Sequence, residues 1–447
     1  MNIALVVLDT LRKDAFDEHF DWLPGRRFDN TWSPARWTVP AHASLFTGEY
    51  PREVGALESK VLGCNKSTLA EDLSQAGYMA RAFSANPNIS WPFKFDRGFS
   101  SFEGSWRLRP FEPNQNLFDW SSFIRENTNR GLSKYPLALW KCFISDSATL
   151  RSLQIGAAKK LEDLGYRTHT DDGATETVNY LNNLDVGEKE FLFINLMEAH
   201  EPYLPPKEFR TTSYQTGDYL KATMGKPDFN ESKVKDAYND SAKYLSHMYQ
   251  SIFEILRGSF DLIITVSDHG ESLGEFGAWG HVHGIYPEIT HVPLTISGDI
   301  VEDGVDTRLT TLFDVHATIL DAADVQGESS GNSLLAGIPD DFNSREIFIE
   351  DSGISEDRFS NSKSGVSRKT DLGRYQGSFC GVSTKDRYVY ETPSGIKSHP
   401  NRSFEKAAAK GIIQNRESQI EECKDYSTNS EALSESARSQ LEDLGYL

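Results

Sequence analysis

Short apolar runs, each bounded by polar residues, recur along the first two thirds of this chain. The run from Asn2 to Leu8 ends in Asp9-Thr10, and the run from Leu262 to Val266 ends in Ser267-Asp268-His269-Gly270. Both are aliphatic with β-branched residues, the pattern of a strand buried on both faces of a parallel sheet. Similar runs occupy 78–83, 191–196 and 292–296. Between them the apolar spacing lengthens to a helical period, and residues 67–73, 171–184 and 231–256 read as amphipathic helices. A further helix is predicted from Pro40, which suits a first helical turn, through Phe46 to a stop at Gly48. Strands alternating with helices predict an α/β fold around a mainly parallel sheet. Residues 104–170 break the rhythm, with Trp106, Trp120 and Trp140 among mixed positions; this segment reads as a helical insertion. From about residue 340 the character changes to a strand at 345–350, a hairpin over 379–391 and a charged, helical stretch from 403.

In an open α/β sheet, ligands bind beyond the carboxyl ends of the strands. The first strand delivers Asp9 to that edge, and the 262–266 strand delivers Asp268 and His269. Two neighbouring carboxylates repel, and a divalent cation removes the repulsion. One strand-end Asp alone would read as a cap on the next turn or helix. Two of them with an adjacent His favour a site for at least one Mn, Mg, Ca or Zn ion. His200 follows the 191–196 strand and is the third such strand-end group. It could bind a transferred group, protonate a leaving group or ligate a second metal, or simply be satisfied within its loop.

Thr38 lies just ahead of the helix that Pro40 begins. Backbone N–H groups and the helix dipole favour an anion there. A hydroxyl in that place can attack a phosphorus or sulfur centre; it can also be a plain N-terminal cap.

Thr38-x-Pro40-x-His42-x4-Thr47-Gly48 resembles the signature of the sulfatases, in the alkaline phosphatase superfamily. That signature runs Cys or Ser, x-Pro-x-Arg, four residues, Thr-Gly. The rest follows in the same order. Asp9 resembles the first metal ligand, and Ser267-Asp268-His269-Gly270-Glu271 the late metal motif. Asn195 to Tyr203 is similar to the mid-chain histidine segment, and Leu312 to Leu320 to the passage closing the main domain. A rival register, Trp32-Ser33-Pro34-Ala35-Arg36, puts Trp32 at the nucleophile position and spaces Thr47-Gly48 too far away; it leaves Ser33 as a minor candidate. The resemblance implies a three-layer αβα sandwich over residues 1–340, with the insertion at about 104–170, and a smaller C-terminal α+β domain over 341–447. It implies that Asp9, Thr38, Asp268 and His269 bind the metal, and that Thr38, His200 and His281 act in catalysis. His42, His200, His281 and His283 are the implied substrate-binding residues, His42 standing where the signature has Arg. Sulfatases convert the Cys or Ser to formylglycine, and a threonine cannot yield that aldehyde because its β-carbon carries a methyl group. Relatives that transfer or cleave phosphate use threonine unmodified. The resemblance therefore points first to cleavage of a phosphate ester or diester. A sulfuric ester hydrolase and a silent anion- or glycan-binding protein are the alternatives.

Composition narrows the partners more than the reaction. The net charge of −20, from 66 acidic against 46 basic residues, argues against a nucleic-acid surface. It is also compatible with a high-salt source, where self-repulsion is screened. No apolar run is long enough for a membrane helix, so no stable membrane insertion is expected. Cys64, Cys142, Cys380 and Cys423 have neither zinc-ribbon nor disulfide-framework spacing. No basic region, long apolar stretch and cleavage site opens the chain, so a cytoplasmic location is expected. The expected partner is a small anionic ester, with a glycan or a lipid head group as its carrier.

Overall fold

A computed structural model describes most of residues 1–111, 170–335, 344–354 and 377–423, with short pieces near 123–157 and 372–375. Its centre is an eight-stranded sheet in the order β10-β2-β9-β6-β1-β5-β3-β4. The strands are β1 Ile3–Leu8, β2 Arg26–Trp32, β3 Met79–Ser84, β4 Ser101–Gly104, β5 Glu190–Leu196, β6 Leu262–Val266, β9 Leu294–Ser297 and β10 Gly304–Thr311. All neighbours pair in parallel except β9, which runs antiparallel to β2 and β6.

Side chains alternate across a strand, and β1 splits its apolar residues between two cores. Ile3, Leu5 and Val7 join helices Thr38–Thr47, Leu69–Gln75 and Leu312–Ala322 on one face. Ala4, Val6 and Leu8 join helices Lys13–His19, Ala174–Asn182 and Glu231–Leu256 on the other. The result is a three-layer αβα sandwich. β1 is wholly buried because it has a strand on either side and helices above and below.

A second, antiparallel sheet runs β11-β12-β13-β14, from Ile347–Asp351, Phe379–Ser383, Tyr388–Tyr390 and Lys397–His399. Helix Lys406–Glu417 packs on it through Ala409 and Ile413. A bridge between Ala35 and Glu350 joins this sheet to the segment after β2. A two-stranded ribbon, β7 Ser272–Leu273 with β8 Trp279–Gly280, follows β6.

The helix predicted from Pro40 begins two residues earlier, at Thr38, with Trp37 as its cap. Pro40 is accommodated because N–H groups of the first turn have no partner within a helix. Residues 203–230, which look loop-like in sequence, contain the short helix Tyr219–Met224, capped by Asp218. The predicted 104–170 insertion and residues 424–447 lie largely or wholly outside the described residues. No described helix is long and apolar enough to cross a membrane.

Candidate functional site

The register of three central strands brings the candidate residues together. β1 lies between β5 and β6, with Val7 opposite both Asn195 and Val266. Asp9 and Asp268 therefore leave adjacent strands at the same edge, and both are fully buried. Helix Thr38–Thr47, all of whose residues are buried, points its N-terminus at that edge. It stops at Gly48, where φ is +70° and a Cβ would lie 2.6 Å from the His316 ring. Gly270 allows the other close approach: a Cβ there would meet the Glu288 carbonyl at 2.2 Å.

Ligand atoms of Asp9, Asp268 and His269 lie within 4.8 Å of one another. The Thr38 Oγ1 is 3.3 Å from His269 Nε2. The His269 ring donates from Nδ1 to the Gly270 carbonyl at 2.9 Å, which leaves the Nε2 lone pair toward the hydroxyl. Asp9 accepts from the Thr10 hydroxyl at 2.7 Å and from the Asn86 amide at 2.7 Å. Asp268 Oδ1 accepts from two backbone N–H groups, those of Thr10 and His269. Its Oδ2 is buried with no hydrogen-bond donor.

Burial and the Asp9 charge both push Asp268 far above the ordinary carboxylate range. Burial works against ionised Asp9 too, but His200, His269 and His42 face it and bring its pKa below the ordinary value. One carboxylate of the pair is thus ill at ease without a cation. The orphaned Oδ2, the second carboxylate and the open imidazole nitrogen make an oxygen-and-nitrogen donor set that fits a divalent metal.

His281 and His200 stand beside this cluster. Ring centroids are 4.6 Å apart for His269 and His281 and 5.2 Å apart for His200 and His281. His281 Nδ1 is 3.2 Å from Glu271 Oε1, and Glu271 also accepts from the Tyr203 hydroxyl at 2.9 Å. Burial lifts Glu271 to about 7 and, with His269 and His200 nearby, holds His281 well below the usual imidazole range. His42 lies deeper. Its Nδ1 donates to the Thr38 carbonyl at 2.9 Å, its Nε2 faces the Asn195 amide at 3.1 Å, and burial lowers it to about 4. His283 is buried against Tyr375 and Phe379 and meets none of the metal-ligand candidates. Ser33 donates to the Ala35 carbonyl within its own turn.

Four contributors escape the sequence patterns. Asn195 and Asn86 hold Asp9 and His42; Glu271 holds His281. Arg36 is 7% exposed and spends its guanidinium on Asp351 (2.5 Å), the Gly353 carbonyl (3.3 Å) and the His281 carbonyl (2.7 Å). Asn195, Glu271 and Arg36 do lie inside the quoted motif stretches, but nothing in their spacing assigns them a partner.

A family model described as Sulfatase matches residues 18–325. The chain belongs to the sulfatase family. Its large, mainly parallel sheet and small antiparallel sheet give it the fold of the solved structures it superposes on. Among curated relatives, it is 28% identical over 155 residues to the low-salt glycan biosynthesis sulfotransferase Agl7 of Haloferax volcanii. That match takes in 33% of this chain and only 38% of the length of Agl7. Among solved structures, it superposes on the phosphonate monoester hydrolase of Silicibacter pomeroyi with a TM-score of 0.63, 18% identity and 94% of both chains covered. A protein solved with its substrate D-glucosamine-2-N,6-O-disulfate gives a TM-score of 0.59 at 16% identity, covering 94% of this chain and 98% of that one.

Proposed function

We propose that this sulfatase-family protein is a metal-dependent hydrolase or transferase that cleaves a phosphate ester or diester with Thr38 as its nucleophile. The place of the Thr38 hydroxyl supports this best: it sits at a buried helix N-terminus, 3.3 Å from His269 Nε2, beside two buried carboxylates. Asp9, Thr38, Asp268 and His269 would hold a divalent cation, which when bound lowers the pKa of a hydroxyl and offsets charge developing on a transferred group.

The chain's own groups do the rest. The Gly270 carbonyl fixes the His269 ring. His42 bonds the Thr38 carbonyl and Asn195, so it sets the helix end rather than meeting the substrate. The first-turn N–H groups of the helix have no internal partners and suit the oxygens of an anion. Thr38 Oγ, its proton released to solvent, forms a bond to phosphorus as the bond to the leaving alcohol breaks, and His200 supplies the proton that alcohol needs. Glu271, able to carry a proton near neutral pH, can donate to His281 Nδ1 and free Nε2–H for the anion. Water then releases the group from Thr38, or an acceptor alcohol takes it.

A second reading, cleavage or transfer of a sulfo group, is favoured by the likeness to a sulfotransferase and to a protein solved with a sulfated glucosamine. Metal-loaded protein assayed on an aryl sulfate, a phosphate monoester and a phosphodiester separates the two. Faster turnover of either phosphate ester is expected. Preference for the sulfate transfers the proposal to sulfo chemistry, and turnover of none of the three contradicts both.

A further inference from the structure

Helix Lys134–Ile144, in the segment between β4 and β5, carries an apolar stripe that faces away from the protein. Pro136, Leu139, Trp140 and Phe143 recur at i, i+3, i+4 and i+7, the spacing that ordinarily marks the face a helix turns to its core. Here all four are exposed: Leu139 is 44%, Trp140 59% and Phe143 66% accessible, and Pro136 joins them. The same helix turns Ala138 and Cys142 inward, both buried. Helix Glu231–Leu256 shows the usual outcome, with Val234, Tyr238, Leu245 and Tyr249 all covered. Single exposed apolar side chains are ordinary, whereas a contiguous aromatic stripe marks a contact surface.

The segment that bears this helix is pinned where it leaves and rejoins the sandwich. Trp106 Nε1 donates to the Asp171 carbonyl at 3.0 Å, and Arg107 pairs with Asp172 at 2.8 Å. β4 runs parallel to β3, β3 to β5 and β5 to β1, so the segment leaves the sheet at the edge where Asp9 lies.

Charge selects the occupant of the stripe. The chain as a whole carries −20, yet between Arg125 and Lys160 seven basic residues stand against two acidic ones. Lys141 is exposed and lies about 100° around the helix axis from Trp140, on the flank of the stripe. A two-fold contact between copies of the chain would set this basic stretch against itself. An anionic surface complements it. At ordinary salt only charges within about 10 Å of that surface count, so the acidic remainder of the protein is screened. Tryptophan, phenylalanine and leucine on one face with lysine beside them suit a helix lying in a lipid head-group layer. Its 11 residues are too few to cross a bilayer.

We propose that helix Lys134–Ile144 docks the protein on an anionic lipid membrane. The stripe enters the head-group layer, Lys141 meets lipid phosphate, and the helix lies along the surface rather than across it. Nothing in this docking depends on which ester the site cleaves.

Sedimentation with vesicles tests it. The full chain is spun with vesicles of equal parts phosphatidylcholine and phosphatidylglycerol, and with vesicles of phosphatidylcholine alone. The mixed vesicles should carry the protein down, less so as salt is raised, and the neutral ones should carry far less. Trp140→Ser combined with Phe143→Ser should lower the partition coefficient about tenfold or more. Lys141→Glu should lower it on the mixed vesicles. Because these side chains are exposed, both variants should melt with the parent and cleave a water-soluble ester as fast. No binding by the parent, equal binding to neutral vesicles, or variants that bind like the parent overturn the proposal. So does self-association of the parent, read by sedimentation velocity, that the double variant abolishes while no vesicle is bound: the stripe then belongs to a second copy. Should the double variant melt lower than the parent, Lys141→Glu decides by itself.

Discussion

Asp268 carries the clearest unresolved cost at the level of single residues. It is fully buried, one oxygen has no donor, and Asp9 stands beside it. Asp268→Asn keeps an acceptor for the Thr10 and His269 N–H groups while removing the charge. The metal-free variant should be more stable than the metal-free parent by about 1–3 kcal/mol, the cost of an unsatisfied buried polar group. It should also lose the rise in melting temperature that a divalent cation gives the parent. Melting curves with and without Mn check both, and a variant that melts lower than the parent without metal, or still gains from it, contradicts the assignment. Asp9, Asp268 and His269 were legible in sequence because each follows an apolar run, and strand ends are where such a sheet binds. Thr38 was legible from Pro40. Asn195, Asn86, Glu271 and Arg36 were not, because their partners are fixed by strand register and loop closure. Asn195, for example, reaches Asp9 and His42 only because β5 pairs with β1 in one alignment.

Glu198 shows what an element can impose on a residue. It lies just past β5, buried, with Oε1 accepting from the Ala174 N–H at 2.7 Å and Oε2 without a donor. Burial first, then the Asp171 and Asp172 charges, push its pKa up to about 8. The unfolded chain releases this proton near the ordinary Glu value of about 4.3. The folded state keeps it, so Glu198 favours folding fully below that value and progressively less as pH rises through about 8. Between pH 5 and 8 the parent should therefore lose more stability than Glu198→Gln. Urea melts at both pH values measure this, and parallel losses contradict it. The elements themselves were largely readable where apolar residues are dense: β1, β5 and β6 match their runs to within one residue, and helix Glu231–Leu256 spans its predicted range. β2 and β10 were missed. Their outer halves are half-buried or exposed and polar, so neither shows a clean period. The direction of β9 was not readable either, since a buried strand has the same pattern whichever way it runs.

At the scale of the whole molecule, one ion pair ties the small sheet to the site. Arg36, two residues before Thr38, meets Asp351 at the end of β11 and reaches the His281 carbonyl. Asp351 in turn accepts from the Gly284 N–H at 2.8 Å. Arg36→Ala would leave a buried charge unpaired and should cost about 3–5 kcal/mol in urea melts, with a loss of turnover as His281 is freed. A loss below about 1 kcal/mol would mean the pair is not the link between the two sheets. The overall architecture was legible through the order of the motifs, and a sulfatase-family model matches residues 18–325. The chemistry performed at Thr38 is the claim on which the account stands. The most direct measurement is acid quench of metal-loaded protein during turnover, followed by mass spectrometry of the tryptic peptide from Trp37 to Arg52. The account predicts the transferred group esterified to Thr38, and no adduct with Thr38→Ala. An adduct on any other residue, or sustained turnover by Thr38→Ala, would contradict it.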